Sequence, residues 1–131
     1  MMARAPSRLF LLMGTIFAGI AVGAGAFGAH SLKGILDAPM LAAFETAARY
    51  QMYHALGLCI VAFSIERYPD GRFRTVGWLF TTGILLFAGS LYLLSLSGIR
   101  WLGALTPLGG AAFIGGWVLF AWELWRSSRS L

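Results

Sequence analysis

Phe44-Glu45-Thr46-Ala47-Ala48-Arg49-Tyr50-Gln51-Met52-Tyr53-His54 gathers most of the polar chemistry of this chain and runs straight into Ala55-Leu56-Gly57-Leu58-Cys59-Ile60-Val61-Ala62-Phe63. At about 100° per residue, the helical period sets Glu45, Arg49 and Tyr53 on one face and Tyr50 and His54 on another. Ionisable groups that lead into an apolar helix of membrane length need partners, because an unpaired charge in hydrocarbon costs several kcal/mol. This stretch is therefore expected to form a polar helix inside a membrane bundle.

The composition around this stretch agrees. Of 131 residues, 59% are hydrophobic and 11% charged, against roughly 25% charged in a soluble domain. The mean hydropathy is +0.77. A chain this short has too little interior to bury that much apolar surface, so lipid is the expected solvent. The net charge is +5, but the basic residues stand at segment ends rather than in a patch interleaved with aromatics, so no nucleic-acid partner is expected. Cys59 is the only cysteine. It allows no internal disulfide and no cysteine metal motif, and its apolar surroundings predict an inert thiol.

Outward from the opening stretch, the sequence predicts one all-α domain over 1–131, a bundle of four transmembrane helices over about 9–29, 38–65, 75–97 and 107–125. The first segment follows Arg4 and Arg8 and resembles a secretory signal. Its uncharged run continues beyond signal length, which favours a retained helix. Asp37 is placed to cap the second helix with Pro39 in its first turn, and Tyr68-Pro69-Asp70-Gly71 has tight-turn chemistry. Gly98 reads as a helix stop, and Thr106 as the cap of a fourth helix opened by Pro107. Arg4, Arg8, Arg67, Arg72, Arg74, Arg126 and Arg129 fall on one side, while Lys33 and Arg100 lie in the opposite loops. The positive-inside rule then predicts both termini in the cytoplasm.

Several ordered motifs resemble a known family: Gly25-Ala26-Phe27-Gly28-Ala29-His30, Phe44-Glu45-Thr46-Ala47 with Tyr50-Gln51 and His54-Ala55-Leu56, Phe87-Ala88-Gly89-Ser90-Leu91-Tyr92, and Thr106-Pro107-Leu108-Gly109-Gly110 with Gly116-Trp117. The family is that of the bacterial inner-membrane protein YgdD and the eukaryotic transmembrane protein 256, a domain of unknown function. The resemblance covers nearly the whole chain. It implies a small multi-pass protein of the bacterial inner membrane, with no established activity, substrate or cofactor.

Depth adds a site hypothesis. Gln51 lies about 21 Å above Ile65, and Ser90 about 22 Å above Thr75, at the helical rise. Small residues of the first and fourth helices face them at that height. The expectation is a polar layer of Tyr50, Gln51, His54, Ser90 and Tyr92, which either fastens helices together or serves a ligand or proton. His30, Glu45 and Arg49 are candidates at the outer boundary, with Glu45 and Arg49 spaced for a local ion pair. Glu123 and Arg126 read as a solvated pair at the inner boundary. Gly19, Gly23, Gly25, Gly28, Gly109 and Gly110 are the expected helix-packing glycines.

No phosphate loop, catalytic triad or metal motif emerges, so neither catalytic residues nor a cofactor are expected. The first functional expectation is a scaffold or accessory subunit that packs against other membrane proteins or a second copy within the bilayer. A small proton-linked carrier using His54 is the alternative. A haem or metal protein ranks last, because His30 and His54 differ in predicted depth by about 15 Å.

Overall fold

Asp37 and Pro39 begin the second helix as their chemistry requires. The Asp37 carboxylate accepts a hydrogen bond from the Met40 amide at 2.9 Å, and Pro39 stands where a missing N–H costs nothing. A computed structural model of the chain describes residues 4–129. Met1 and Leu131, the expected bounds of the domain, lie outside them. The described residues form four long helices: α1 (Ala5–Leu32), α2 (Ala38–Arg67), α3 (Phe73–Ser97) and α4 (Thr106–Arg129). A 3₁₀ turn, Arg100–Ala104, leads into α4.

Each helix outruns its predicted span, because backbone hydrogen bonding continues past the apolar stretch into residues suited to an interface. The turn between α2 and α3 closes as expected, with the Gly71 amide donating to the Tyr68 carbonyl at 3.1 Å. Gly98 ends α3 in the left-handed region at φ 73°, where a side chain would be strained. Thr106 departs from expectation. Its hydroxyl is 2.6 Å from that of Ser90, a contact between helices, and the start of α4 is fastened instead by the Gly109 amide on the Leu105 carbonyl.

Two π-turns, Gly28–Leu32 in α1 and Ile84–Ala88 in α3, carry no sequence signal that the helical period reveals. The second brings the Phe87 backbone so close to α4 that a Cβ at Gly109 would collide with the Phe87 amide nitrogen. Only glycine fits there.

Three helices, α1, α3 and α4, are long and apolar enough to cross a membrane by length and composition. α2 is not among them, since Glu45, Arg49, Gln51 and His54 lower its hydropathy. It lies between α1 and α3, with α3 in turn against α4. Twelve of its residues are buried, among them Gln51, His54 and Ser64. Over its middle the buried face is thus the polar one and Leu56, Ile60 and Phe63 are exposed, while Glu45, Arg49, Glu66 and Arg67 stand exposed toward its ends.

The apolar core sits toward the α2–α3 turn. Phe10, Leu58, Val61, Phe73, Val76 and Phe80 are almost wholly buried there, with Phe113 and Phe120 packed on them. Glycines seat these rings: a Cβ at Gly77 would lie 2.5 Å from the Phe10 ring, and one at Gly116 2.7 Å from that of Phe80. On α1 the close approach is at Gly14, where a Cβ would come 2.7 Å from the Ala55 carbonyl and 2.8 Å from the half-buried Cys59 sulfur.

The expected packing glycines differ in what they meet within the chain. Gly28 (against Phe44, at 3.0 Å) and Gly109 meet neighbours, and Gly110 has only a distant contact at 3.9 Å. A Cβ at Gly19, Gly23 or Gly25 would meet nothing within 4 Å; Gly19 and Gly23 stand on the exposed face of α1, away from Gly14, while Gly25 is half-buried.

Candidate functional site

Gln51 projects from the buried face of α2 and is 3% exposed. Its amide nitrogen donates to the Phe17 carbonyl of α1 at 2.8 Å, and its amide oxygen accepts from the Tyr92 hydroxyl of α3 at 2.9 Å. One side chain so ties three helices with neutral hydrogen bonds. Tyr92 is held in turn by an edge-on contact with the Phe44 ring, centroids 5.0 Å apart.

His54, one turn further along α2, is also buried. Its Nδ1 lies 2.8 Å from the Tyr50 carbonyl, and its Nε2 lies 2.9 Å from the indole nitrogen of Trp117 on α4. Indole N–H only donates, so Nε2 must carry a lone pair, and Nδ1 holds the proton it donates to Tyr50. This assignment follows from the partners, and it makes His54 a neutral bridge between α2 and α4. The ring stacks on Phe113 at 3.5 Å with 9° between planes, and Phe80 meets it edge-on. Both nitrogens and one face are therefore occupied.

Ser90 donates to the Phe87 carbonyl at 3.0 Å and shares a hydrogen bond with Thr106, tying α3 to α4. Tyr50 is 38% exposed, with its ring against Phe87 and Tyr53. The five proposed layer residues are thus not one connected network. Gln51 and Tyr92 meet directly and His54 bonds to the Tyr50 carbonyl, but the two pairs are separate, and His54 and Ser90 each also bond to a side chain outside the set. Trp117 and Thr106 are the partners that sequence reasoning did not assign to the layer. Indole and hydroxyl groups at matching depth on α4 were the available signal.

The outer-boundary candidates do not assemble. His30, Glu45 and Arg49 are all exposed, and no ion pair joins Glu45 to Arg49 despite their spacing. Exposed pairs of this kind gain little, and their side-chain entropy opposes them. Among the described residues, no three His, Cys, Asp or Glu side chains gather to hold a metal.

Glu123 is the larger correction. The expected solvated pair is a buried carboxylate with 0% side-chain exposure. It accepts from the Arg72 amide at 3.0 Å, from Arg72 Nε at 2.9 Å and from Arg126 Nη2 at 2.7 Å. The first of these satisfies a donor at the start of α3, where no side chain of α3 itself provides a cap. Glu66, at the other corner of the same end, is exposed and receives the Ser7 hydroxyl and the Arg4 amide, joining α1 to α2. Those two donors hold the Glu66 carboxyl below the usual carboxylate range. Among the described residues, no buried side-chain nitrogen or oxygen lacks a hydrogen-bond partner.

A family model described as a protein of unknown function, DUF423, matches residues 24–110. The UPF0382 membrane protein YwdK of Bacillus subtilis (strain 168) is 50% identical over 113 residues, which is 86% of this chain and 92% of the relative. The UPF0382 membrane protein SSP2132 of Staphylococcus saprophyticus is 46% identical over 112 residues, again 86% of this chain and 92% of the relative. No solved structure matches.

Proposed function

The chain belongs to the DUF423 family of small membrane proteins of unknown function, and on that premise we propose that it is a structural subunit of a membrane assembly. In this reading α2 crosses the bilayer with the other three helices. The result is a four-span bundle in the bacterial inner membrane, with both termini and the α2–α3 turn in the cytoplasm. Seven arginines on that side support this orientation.

The observation that carries the structural role is the complete pairing of the buried polar groups. Gln51, Tyr92, His54, Trp117, Ser90 and Thr106 all bond from helix to helix, and such bonds fix packing in lipid. A proton carrier needs a group that changes charge as its cargo moves. Protonating His54 would instead break its bond to Trp117, so the geometry favours fastening over transport.

The contact face for a partner is the outer side of α1, where Ile16, Gly19, Ile20 and Gly23 lie open. A photo-crosslinking residue at Ile20 should give a discrete protein adduct in membranes. Gly23→Leu should abolish that adduct while leaving thermal stability unchanged, since its side chain meets nothing within the chain. Adducts with lipid alone, or a protein adduct indifferent to Gly23→Leu, would sink the scaffold reading.

A further inference from the structure

The last turns of α4 and the α2–α3 turn enclose a notch of about 360 Å³ lined by Arg67, Tyr68, Pro69, Asp70, Arg126 and Ser127. Its charge is uneven. Glu123 already engages Arg126 and the adjacent Arg72, yet 53% and 62% of those side chains remain exposed. Arg67 has no carboxylate partner, and its guanidinium lies over the Tyr68 ring at 4.9 Å. Asp70, the one carboxylate on the lining, joins no ion pair. The wall thus holds fixed guanidinium groups with donors to spare.

The level of the notch also points to a ligand. Trp122 and Trp125 pack together on the same end of α4, and Arg129 sits over Trp125 at 4.8 Å. Tryptophan and arginine gather in this way at headgroup depth.

We infer that this notch binds a phosphate group, held between Arg67 and Arg126, and that in the membrane the group belongs to an anionic lipid headgroup. A guanidinium fork matches phosphate oxygens two at a time, and basic residues next to a span attract anionic lipid. The lipid source rests on the membrane placement proposed above. The phosphate chemistry does not.

The test uses the purified full chain in nanodiscs of mixed phosphatidylglycerol and phosphatidylcholine, with retained lipid read by native mass spectrometry. A parallel arm titrates inorganic phosphate into the detergent-solubilised chain. Phosphatidylglycerol should be retained over phosphatidylcholine. Arg67→Gln should lower that preference roughly fivefold, Arg67→Lys should restore part of it, and Arg8→Gln, away from the notch, should not change it. Arg67→Gln leaves the bonds of Glu123 untouched, so the fold survives the substitution.

Phosphate bound in detergent with the same dependence on Arg67, without a lipid preference, would keep the site and make its source a free phosphate. A lipid preference indifferent to Arg67→Gln would overturn the notch in favour of diffuse attraction. Equal retention of both lipids with no phosphate binding would overturn it outright. A chain that fails to enter nanodiscs would count against the membrane placement, while the phosphate arm still decides the site.

Discussion

The middle of the bundle and its turn end solve one problem in opposite ways. In the middle, helices are joined by neutral groups: an amide on a phenol and a carbonyl, an imidazole on an indole, a hydroxyl on a hydroxyl. At the turn end they are joined by charge, a buried carboxylate between two arginines and an exposed one bonded to Ser7 and Arg4. The difference follows from access to water. Arg72 and Arg126 keep most of their surface exposed while reaching Glu123, so little of the cost of desolvating them arises. No such route exists beside Gln51, which is 3% exposed and held between the Phe17 carbonyl and the Tyr92 hydroxyl. Depth selects the kind of bond.

The largest effect should come from the charged end. Glu123→Ala removes three hydrogen bonds and, among the described residues, the only side chain that satisfies the start of α3, and it should cost about 2–3 kcal/mol. The loss stays below that of a wholly enclosed ion pair because both arginines can turn to water. Reversible unfolding in mixed detergent micelles reads it, and a loss smaller than that of Gln51→Leu would invert the comparison.

Gln51→Leu comes next, at about 1–2 kcal/mol, since it leaves the Tyr92 hydroxyl without a partner. Combined with Tyr92→Phe in a double-mutant cycle, the coupling should be about 0.6 kcal/mol, the usual value for a hydrogen bond between helices in a membrane. Strict additivity would mean that the middle is held by shape alone. Gly25→Leu should have the smallest effect, close to no change in melting temperature, because its side chain enters open space. A loss as large as that of Gly14→Leu would show that the space beside Gly25 is closed by a neighbour.

Much of this architecture was legible in the sequence. The helix count, the Asp37 cap, the turn at Tyr68-Pro69-Asp70-Gly71 and the stop at Gly98 follow from local chemistry, which acts over a few residues whatever the rest of the chain does. The partners were harder to see, since a hydrogen bond between helices depends on rotation about two axes. Gln51 and Tyr92 are 41 residues apart, and His54 and Trp117 are 63 apart. Glu123 was misread because its neighbour Arg126 offered a sufficient local explanation, while its second partner, Arg72, comes from across the bundle. The glycines show the same limit. The expected Gly28 and Gly109 do meet neighbours, yet Gly19 and Gly23 meet nothing within the chain, whose other close contacts include Gly14, Gly77 and Gly116, chosen by the rotation of each helix.

We propose that α2, although too polar to qualify as a span by its own composition, crosses the membrane because its buried Gln51 and His54 bond to the neighbouring helices. Single cysteines at Lys33 and Asp70, in a Cys59→Ala background, bracket this helix. A membrane-impermeant maleimide added to intact cells should label Lys33→Cys, and should reach Asp70→Cys only after permeabilisation. Labelling of both positions from the same side would mean that α2 does not cross, and would contradict the account.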